Sequence, residues 1–192
     1  MSPAPTFVDE NTLLVGSSRF VYEYPLRRVP PGCFGIEKSK TLLQSYFDLW
    51  EELHPHRVVE LGVRRGGSAV LFHELGGLAR LVSIELSTDR VAELDRFIAE
   101  RSLEAVLRPR YGIDQADRGA LRDIVTEEFG ASELDLVVDD ASHLYGPSRA
   151  SFEVLFPRLR PGGVYLLEDW SWQHVFAPTN LESRPDKSPS FL

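Results

Sequence analysis

The residues of this chain that could carry chemistry gather in two short acidic segments. Asp139-Asp140-Ala141-Ser142-His143 comes directly after the apolar run 134–138, and Glu168-Asp169 comes directly after the run 163–167. Each run is typical of a buried strand, and the carboxyl ends of the strands in an open α/β sheet are where ligands bind. Carboxylates collected at one edge repel one another unless something compensates them. A hard divalent cation with oxygen ligands is the simplest compensation.

A second candidate site is the glycine-rich turn 60–68, which follows an earlier strand and opens a helix. Glycine lets the backbone turn sharply and approach a ligand, but the glycines at 62, 66 and 67 do not fit the G-x-G-x-x-G spacing of a dinucleotide site. Glu60, two residues before Gly62, suits a cationic ligand better than pyrophosphate. Glu85, at the end of the next strand, is placed to accept hydrogen bonds from ribose hydroxyls. S-adenosylmethionine, an amino acid joined to a nucleoside without phosphates, is consistent with this arrangement.

Alternating strands and helices must position these segments. Strand patterns fall at 58–63, 81–86, 105–111, 134–140 and 163–169. Helical patterns begin near Ser39, Ser68, Asp117 and Pro147, and a further helix is expected to be capped by Ser87 or Thr88. This alternation predicts parallel strands with right-handed crossovers, hence an α/β fold with a three-layer, doubly wound, mostly parallel sheet.

The chain is expected to divide into three parts. Residues 1–37 are rich in proline, glycine and aromatics without a sustained period, which predicts an irregular arm or lid. Residues 38–170 form the core, and residues 171–192 are predicted to be an irregular tail. An uncovered fifth strand would favour association between copies, so a homo-oligomer is left open.

Composition excludes several classes of function. The chain has 192 residues and a formal net charge of −8, whereas sequence-independent nucleic-acid binding needs a basic face. No apolar run is long enough to span a bilayer, and the first residues lack the pattern of a secretory signal. A single cysteine, Cys33, is compatible with a reducing compartment. We therefore expect a cytoplasmic protein that binds neither nucleic acid nor membrane.

The motifs in order resemble a known family. Glu60-Leu61-Gly62-Val63 with Gly66-Gly67-Ser68, then 114–117, 139–143 and 168–169, are similar to the metal-dependent class I S-adenosylmethionine methyltransferases of natural-product biosynthesis. Among these, the chain resembles the sugar O-methyltransferases of macrolide pathways and the related cephalosporin-hydroxylase-like proteins. The likeness covers about residues 58–170. Such folds add two strands after the fifth, and the sequence shows no pattern for them after Trp170.

The resemblance implies a role for individual residues. Asp140, Glu168 and Asp169 would hold Mg²⁺, with Asp139 in a supporting role, and His143 would be the general base. The cofactor S-adenosylmethionine would be surrounded at its methionine part by Glu60, Gly62, Gly66 and Ser68, at its ribose by Glu85, and near its adenine by Asp114 and Gln115. The acceptor would be a hydroxylated small molecule, expected to be a sugar of a secondary metabolite.

Other interpretations stay open at this stage. A hydroxylase could use the same carboxylates for iron, although a 2-His-1-carboxylate set is lacking. A non-catalytic S-adenosylmethionine-binding protein is a third possibility, and the glycine spacing makes a nicotinamide-dependent dehydrogenase the weakest. Trp170 and Trp172 could form a wall for the acceptor or simply pack.

Overall fold

The structure, a computed structural model, describes residues 4–171. Its strands are β1 Thr6–Phe7, β2 Thr12–Val15, β3 Ser18–Tyr22, β4 Cys33–Ile36, β5 Arg57–Leu61, β6 Arg80–Glu85, β7 Leu107–Tyr111, β8 Leu134–Asp139 and β9 Leu159–Leu167. Its helices are α1 Lys40–Leu53, α2 Gly67–Leu75, α3 Ala92–Glu100, α4 Arg118–Phe129 and α5 Tyr145–Leu155. Among these residues, no helix is both long and apolar enough to cross a membrane.

The larger sheet is entirely parallel, with the strand order β7-β6-β5-β8-β9. The chain enters at the centre with β5, proceeds to one edge through β6 and β7, and returns to the other side of β5 for β8 and β9. The direction of winding reverses between β5 and β8, which is where open sheets of this kind form a crevice for ligands. The predicted doubly wound α/β fold is confirmed.

Two apolar layers sandwich this sheet. Because neighbouring side chains of a strand point to opposite faces, Val58 of β5 joins one core cluster and Val59 joins the other. The first cluster includes buried residues of α1, α2 and α3, and the second includes those of α4 and α5. The strands are therefore covered on both faces, and only their ends are left for a site.

The segment before α1 differs from the sequence expectation of an irregular arm. It forms a second sheet with the order β1-β2-β3-β4. Leu13 of β2 and Phe20 of β3 are fully buried in the first core cluster. Glu74 of α2 fixes the turn between these two strands, since it accepts hydrogen bonds from the backbone amide of Ser17 and the hydroxyl of Ser18. Strands of two to five residues are too short to show a period in the sequence.

The core elements agree with the sequence patterns except at some boundaries. Helix α1 begins after Ser39, whose side chain accepts a hydrogen bond from the amide of Leu42. Helix α3, in contrast, begins at Ala92 without a side-chain cap, so the caps predicted at Ser87 or Thr88 are wrong. The Ser87 hydroxyl accepts a hydrogen bond from the amide of Asp89 and so belongs to the turn before the helix. Strand β9 begins at Leu159, earlier than predicted.

The predicted tail lies almost wholly outside the described residues, as does Trp172. Trp170 is described, and about half of its side chain is exposed.

Candidate active site

A cavity of about 660 Å³ lies at the carboxyl edge of the larger sheet. Residues that follow β4, β5, β6, β7, β8 and β9 line it, so both motifs identified in the sequence face the same space. Of the predicted site residues, those that line the cavity are Gly62, Ser68, Glu85, Asp114, Gln115, Asp140, His143 and Asp169. Glu60, Gly66 and Glu168 lie behind its wall.

The glycine-rich turn is shaped by close approach of two loops. Gly62 has a φ of +94°, and a Cβ atom added there would lie 2.3 Å from the carbonyl oxygen of Asp140. The turn after β5 therefore packs directly against the loop that carries the acidic segment, and only glycine allows both the φ angle and the contact. Gly66, at a φ of +74°, caps helix α2.

Glu85 organises the same turn from the neighbouring strand. Its Oε2 accepts hydrogen bonds of 2.9 Å from the backbone amides of Val63 and Arg64, and its Oε1 accepts one from Ser87. Partial burial alone would raise the pKa of Glu85, but these amides outweigh it and hold the pKa below its usual value. The carboxylate thus stays ionised on the cavity wall, where an oxygen lone pair remains for a hydroxyl donor.

Glu60 is the fully buried carboxyl of strand β5. Its Oε2 accepts a hydrogen bond of 2.7 Å from the Ser83 hydroxyl, and Ser68 at the start of α2 is its second hydroxyl partner. Burial raises the pKa of Glu60 to about 7, although both hydroxyls act in the opposite direction. A cation bound next to Glu60 would favour its ionised form.

Gln115 connects the cavity wall to the acidic segment. Its Oε1 accepts a hydrogen bond from the amide of Ser142, and its Nε2 donates to Asp139 at 3.1 Å. Asp139 is buried and also accepts hydrogen bonds from the hydroxyls of Ser151 and Tyr165. This network holds the loop that carries Asp140 and His143. Asp114 is exposed on the wall, and its Oδ1 accepts a hydrogen bond from Ala116.

Three predicted residues meet at the acidic edge. Asp140, His143 and Asp169 each offer one ligand atom, and these atoms all lie within 4.8 Å of one another. His143 Nε2 is 4.0 Å from Asp140 Oδ1. Both His143 and Asp169 have positive φ angles, of 55° and 49°, so both strand ends turn sharply here. The carboxylate oxygens of Asp140 and Asp169 are the donor type that Mg²⁺ prefers, and the site's chemistry therefore fits this ion.

Glu168 lies behind this cluster, next to two residues that the sequence analysis did not identify. Lys38 Nζ is 2.6 Å from Glu168 Oε1 and 2.7 Å from Asp140 Oδ2, and the Tyr46 hydroxyl donates to Glu168 Oε1. Burial acts against the charge of Lys38, but the carboxylates of Asp140 and Glu168 outweigh burial and raise its pKa. Lys38 lies two residues after Ile36, the last residue of β4, and this position just beyond a strand was the available signal. Tyr46 was hidden within the apolar stripe of α1.

The fold and this site define a Rossmann-like α/β domain whose cavity joins a glycine-rich turn to an acidic strand edge. A family model described as "Methyltransferase domain" matches residues 59–170. The chain therefore belongs to the methyltransferase domain family.

Several curated relatives are similar to parts of the chain. One relative is a tetracenomycin 3'-O-methyltransferase from Streptomyces olivaceus, whose name includes a 2-methoxy-rhamnosyl group. It is 34% identical over 125 residues, which are 60% of this chain and 28% of that protein. Mycinamicin VI 2''-O-methyltransferase from Micromonospora griseorubida is 45% identical over 56 residues, 29% of this chain and 13% of that protein. The chain spans less than a third of the length of the curated relatives it matches.

Solved structures agree with the fold. The MycE methyltransferase of the mycinamycin pathway, in complex with Mg, SAH and mycinamycin VI, gives a TM-score of 0.56 at 26% identity over 69% of this chain and 35% of that chain. The O-methyltransferase TomG from Streptomyces achromogenes, in complex with SAM, gives a TM-score of 0.58 at 20% identity over 82% of this chain and 65% of that chain.

Proposed function

We propose that this protein is an S-adenosylmethionine-dependent, Mg²⁺-dependent O-methyltransferase that acts on a hydroxyl of a small molecule, a sugar of a secondary metabolite. The observation that carries the proposal is one cavity that joins the glycine-rich turn to the cluster of Asp140, His143 and Asp169. The names of the relatives support the choice of a sugar hydroxyl. The hydroxylase and the non-catalytic alternatives gain no support from the family match.

The cofactor would lie along the glycine-rich turn. Gly62 and Gly66 would let the backbone approach its methionine part. The charge of Glu60, which is buried behind the cavity wall with its hydroxyl partners Ser68 and Ser83, would act on the positive end from there. Glu85 would receive the ribose hydroxyls. Asp114 and Gln115 are the proposed neighbours of the adenine, although the Gln115 side chain already spans Asp139 and Ser142.

The acceptor would lie at the acidic edge. When bound, S-adenosylmethionine supplies an electrophilic methyl group, and Mg²⁺ lowers the pKa of a hydroxyl that it binds. Asp140, Glu168 and Asp169 form the acidic edge that would hold the ion, and Asp140 and Asp169 are the two carboxylates close to His143. The imidazole of His143 would accept the hydroxyl proton at Nε2, because histidine is the side chain that most often acts as a general base.

Alignment of the acceptor oxygen with the methyl group is the remaining task of the protein. The turn after β5 and the loop after β8 touch at Gly62, and this contact would help to keep a bound cofactor and a bound acceptor aligned for transfer. The acceptor is proposed to be a hydroxylated small molecule. A cytoplasmic location and self-association remain predictions.

Binding and turnover together test this proposal. Calorimetric titration should detect S-adenosylmethionine but not NAD, and methyl transfer to a panel of sugar diols and catechols should be lost on chelation of metal. Asp140→Ala should lower turnover by about 10²-fold or more, since it disrupts the positioning of the acceptor, while Asp48→Ala on the exposed side of α1 should not. Full transfer by Asp140→Ala in the presence of chelator would refute the metal-dependent mechanism.

A further inference from the structure

Lys38 is a buried cation inside the acidic edge. Its side chain is 4% exposed, and its ammonium group contacts Asp140 and Glu168 at once. Lys38 comes from the segment that links β4 to α1, so the small N-terminal sheet delivers it to the carboxyl edge of the larger sheet. A lysine is almost never buried without partners, and here its partners are two of the three carboxylates that the resemblance assigns to a metal ion.

The contacts of Lys38 separate the two carboxylates by role. Lys38 binds Asp140 through Oδ2 only, and Asp140 Oδ1 is turned toward His143 Nε2 at 4.0 Å. Glu168, in contrast, is 7% exposed, and its Oε1 accepts hydrogen bonds from both Lys38 and Tyr46. Asp140 therefore keeps its Oδ1 atom on the side of the cavity and of His143, whereas Glu168 faces the protein interior.

We propose that Lys38 divides the acidic edge: it keeps Glu168 as its own counterion and orients Asp140, so that Asp140 and Asp169 are the carboxylates that coordinate a divalent cation. This inference deepens the proposed function, since it rests on the cation of that same site. Lys38 is thus a positioning residue, and Glu168 acts on the cation only through Lys38.

Charge balance and the free-energy cost of breaking a buried ion pair both favour this assignment of the carboxylates. Three carboxylates are neutralised by one ammonium group together with one divalent cation, and Mg²⁺ in proteins commonly takes one or two carboxylates and keeps several waters. Pulling Glu168 onto the cation would leave the buried Lys38 with only Asp140, which the cation also binds. Removing a partner from a buried ion pair is strongly destabilising.

Metal binding by conservative variants tests the division without any turnover. The probe is Mn²⁺ bound to the purified full chain, counted by electron paramagnetic resonance. Glu168→Gln keeps the shape of the side chain but removes a charge beside Lys38, so its Mn²⁺ affinity should fall by no more than about three-fold. Asp169→Asn should bind at least about ten-fold more weakly because it loses a charged ligand. Equal losses in the two variants would overturn the proposal, because Glu168 would then be a ligand.

Variants of Lys38 provide an independent measurement. Lys38→Met leaves Asp140 and Glu168 uncompensated, so its Mn²⁺ affinity should rise and Mn²⁺ should increase its Tm more than that of wild type. Lys38→Arg, which retains the charge, should behave nearly as wild type. The matched control is Lys40→Met, because Lys40 is exposed and lies over the Phe7 ring outside the site. An unchanged Mn²⁺ affinity in folded Lys38→Met would overturn the proposal.

The failure of this inference and that of the proposed function can be told apart. Equal losses in Glu168→Gln and Asp169→Asn, combined with Mg²⁺-dependent methyl transfer by wild type, would overturn the division and leave the proposed function intact. The expected Mn²⁺ pattern without any binding of S-adenosylmethionine would support the division and refute the proposed function. Absence of Mn²⁺ binding in wild type and in Lys38→Met would overturn the division.

Discussion

Replacing Glu60 by glutamine should change how the stability of this protein depends on pH. Glu60 is 2% exposed in the centre of the larger sheet, and burial raises its pKa from 4.5 to about 7 despite hydrogen bonds from Ser68 and Ser83. The folded chain therefore holds this proton over a pH range in which the unfolded chain releases it. The stability that depends on Glu60 is full below about pH 4.5 and falls as the pH rises to about 7.

The size of the effect follows from the two pKa values. A change of one pKa unit corresponds to about 1.4 kcal/mol, so the difference between 4.5 and about 7 corresponds to roughly 3 kcal/mol in the free energy of unfolding. Above about pH 7 the ionised carboxylate remains buried, and the full loss in the free energy of unfolding persists. The glutamine amide carries no charge at any pH and avoids it, while it can still accept a hydrogen bond from Ser83.

The measurement is denaturant unfolding of Glu60→Gln and wild type between about pH 5 and pH 8. Over this pH range the free energy of unfolding of Glu60→Gln relative to that of wild type should shift by roughly 2.5 kcal/mol in favour of the variant as the pH rises. The shift of this difference with pH is the quantity to compare, because a constant offset reports only the packing of the amide.

Glu74→Gln is the matched control, because Glu74 is also a buried carboxyl. Partial burial alone would raise the pKa of Glu74, but hydrogen bonds from Ser18 and Ser17 and the charge of Arg101 outweigh it and lower the pKa. Glu74 is therefore ionised in both states above pH 5, and the difference between Glu74→Gln and wild type should not vary with pH in this range. A flat difference for Glu60→Gln as well would refute the reasoning about Glu60.

Two further substitutions test the walls of the cavity. Gly62→Ala should lower the free energy of unfolding by about 1–2 kcal/mol because of its positive φ, and by about 1–3 kcal/mol more because its Cβ overlaps the carbonyl of Asp140. The control is Gly130→Ala, because Gly130 also has a positive φ but open space around it. In denaturant unfolding this control should show only the first of the two losses. His143→Ala should lower kcat by about 10²–10⁴-fold, since it removes the proposed base, with little change in the calorimetric affinity for S-adenosylmethionine. His54→Ala on the exposed surface should change neither, and a normal kcat in His143→Ala would exclude His143 as the base.

The sequence predicted the core of the fold because its signals are local. Apolar runs such as 134–138 and the helical stripe of α1 reflect burial, which acts on each segment through its own period. The order of the strands then follows from the parallel alternation and right-handed crossovers. The small N-terminal sheet escaped prediction because its strands are short, and the start of α3 escaped because the Ser87 hydroxyl serves a turn rather than a cap.

The functional site, like the fold, was predicted from the sequence only in part. Motif residues such as Gly62, Glu85 and Asp140 could be placed at the strand ends from the sequence, and the structure brings them to one cavity. Their roles toward cofactor and metal remain proposals.

By itself, the sequence determined which residue types reach the carboxyl edge of the sheet, since the strand pattern decides where each strand ends. Only the tertiary structure decided which of them meet. Lys38 lies more than a hundred residues before Asp140 and Glu168 in the chain, yet it forms ion pairs with both. The contact of Gly62 with Asp140 likewise depends on β8 pairing beside β5. Such contacts arise when separate elements pack, and no local pattern encodes them.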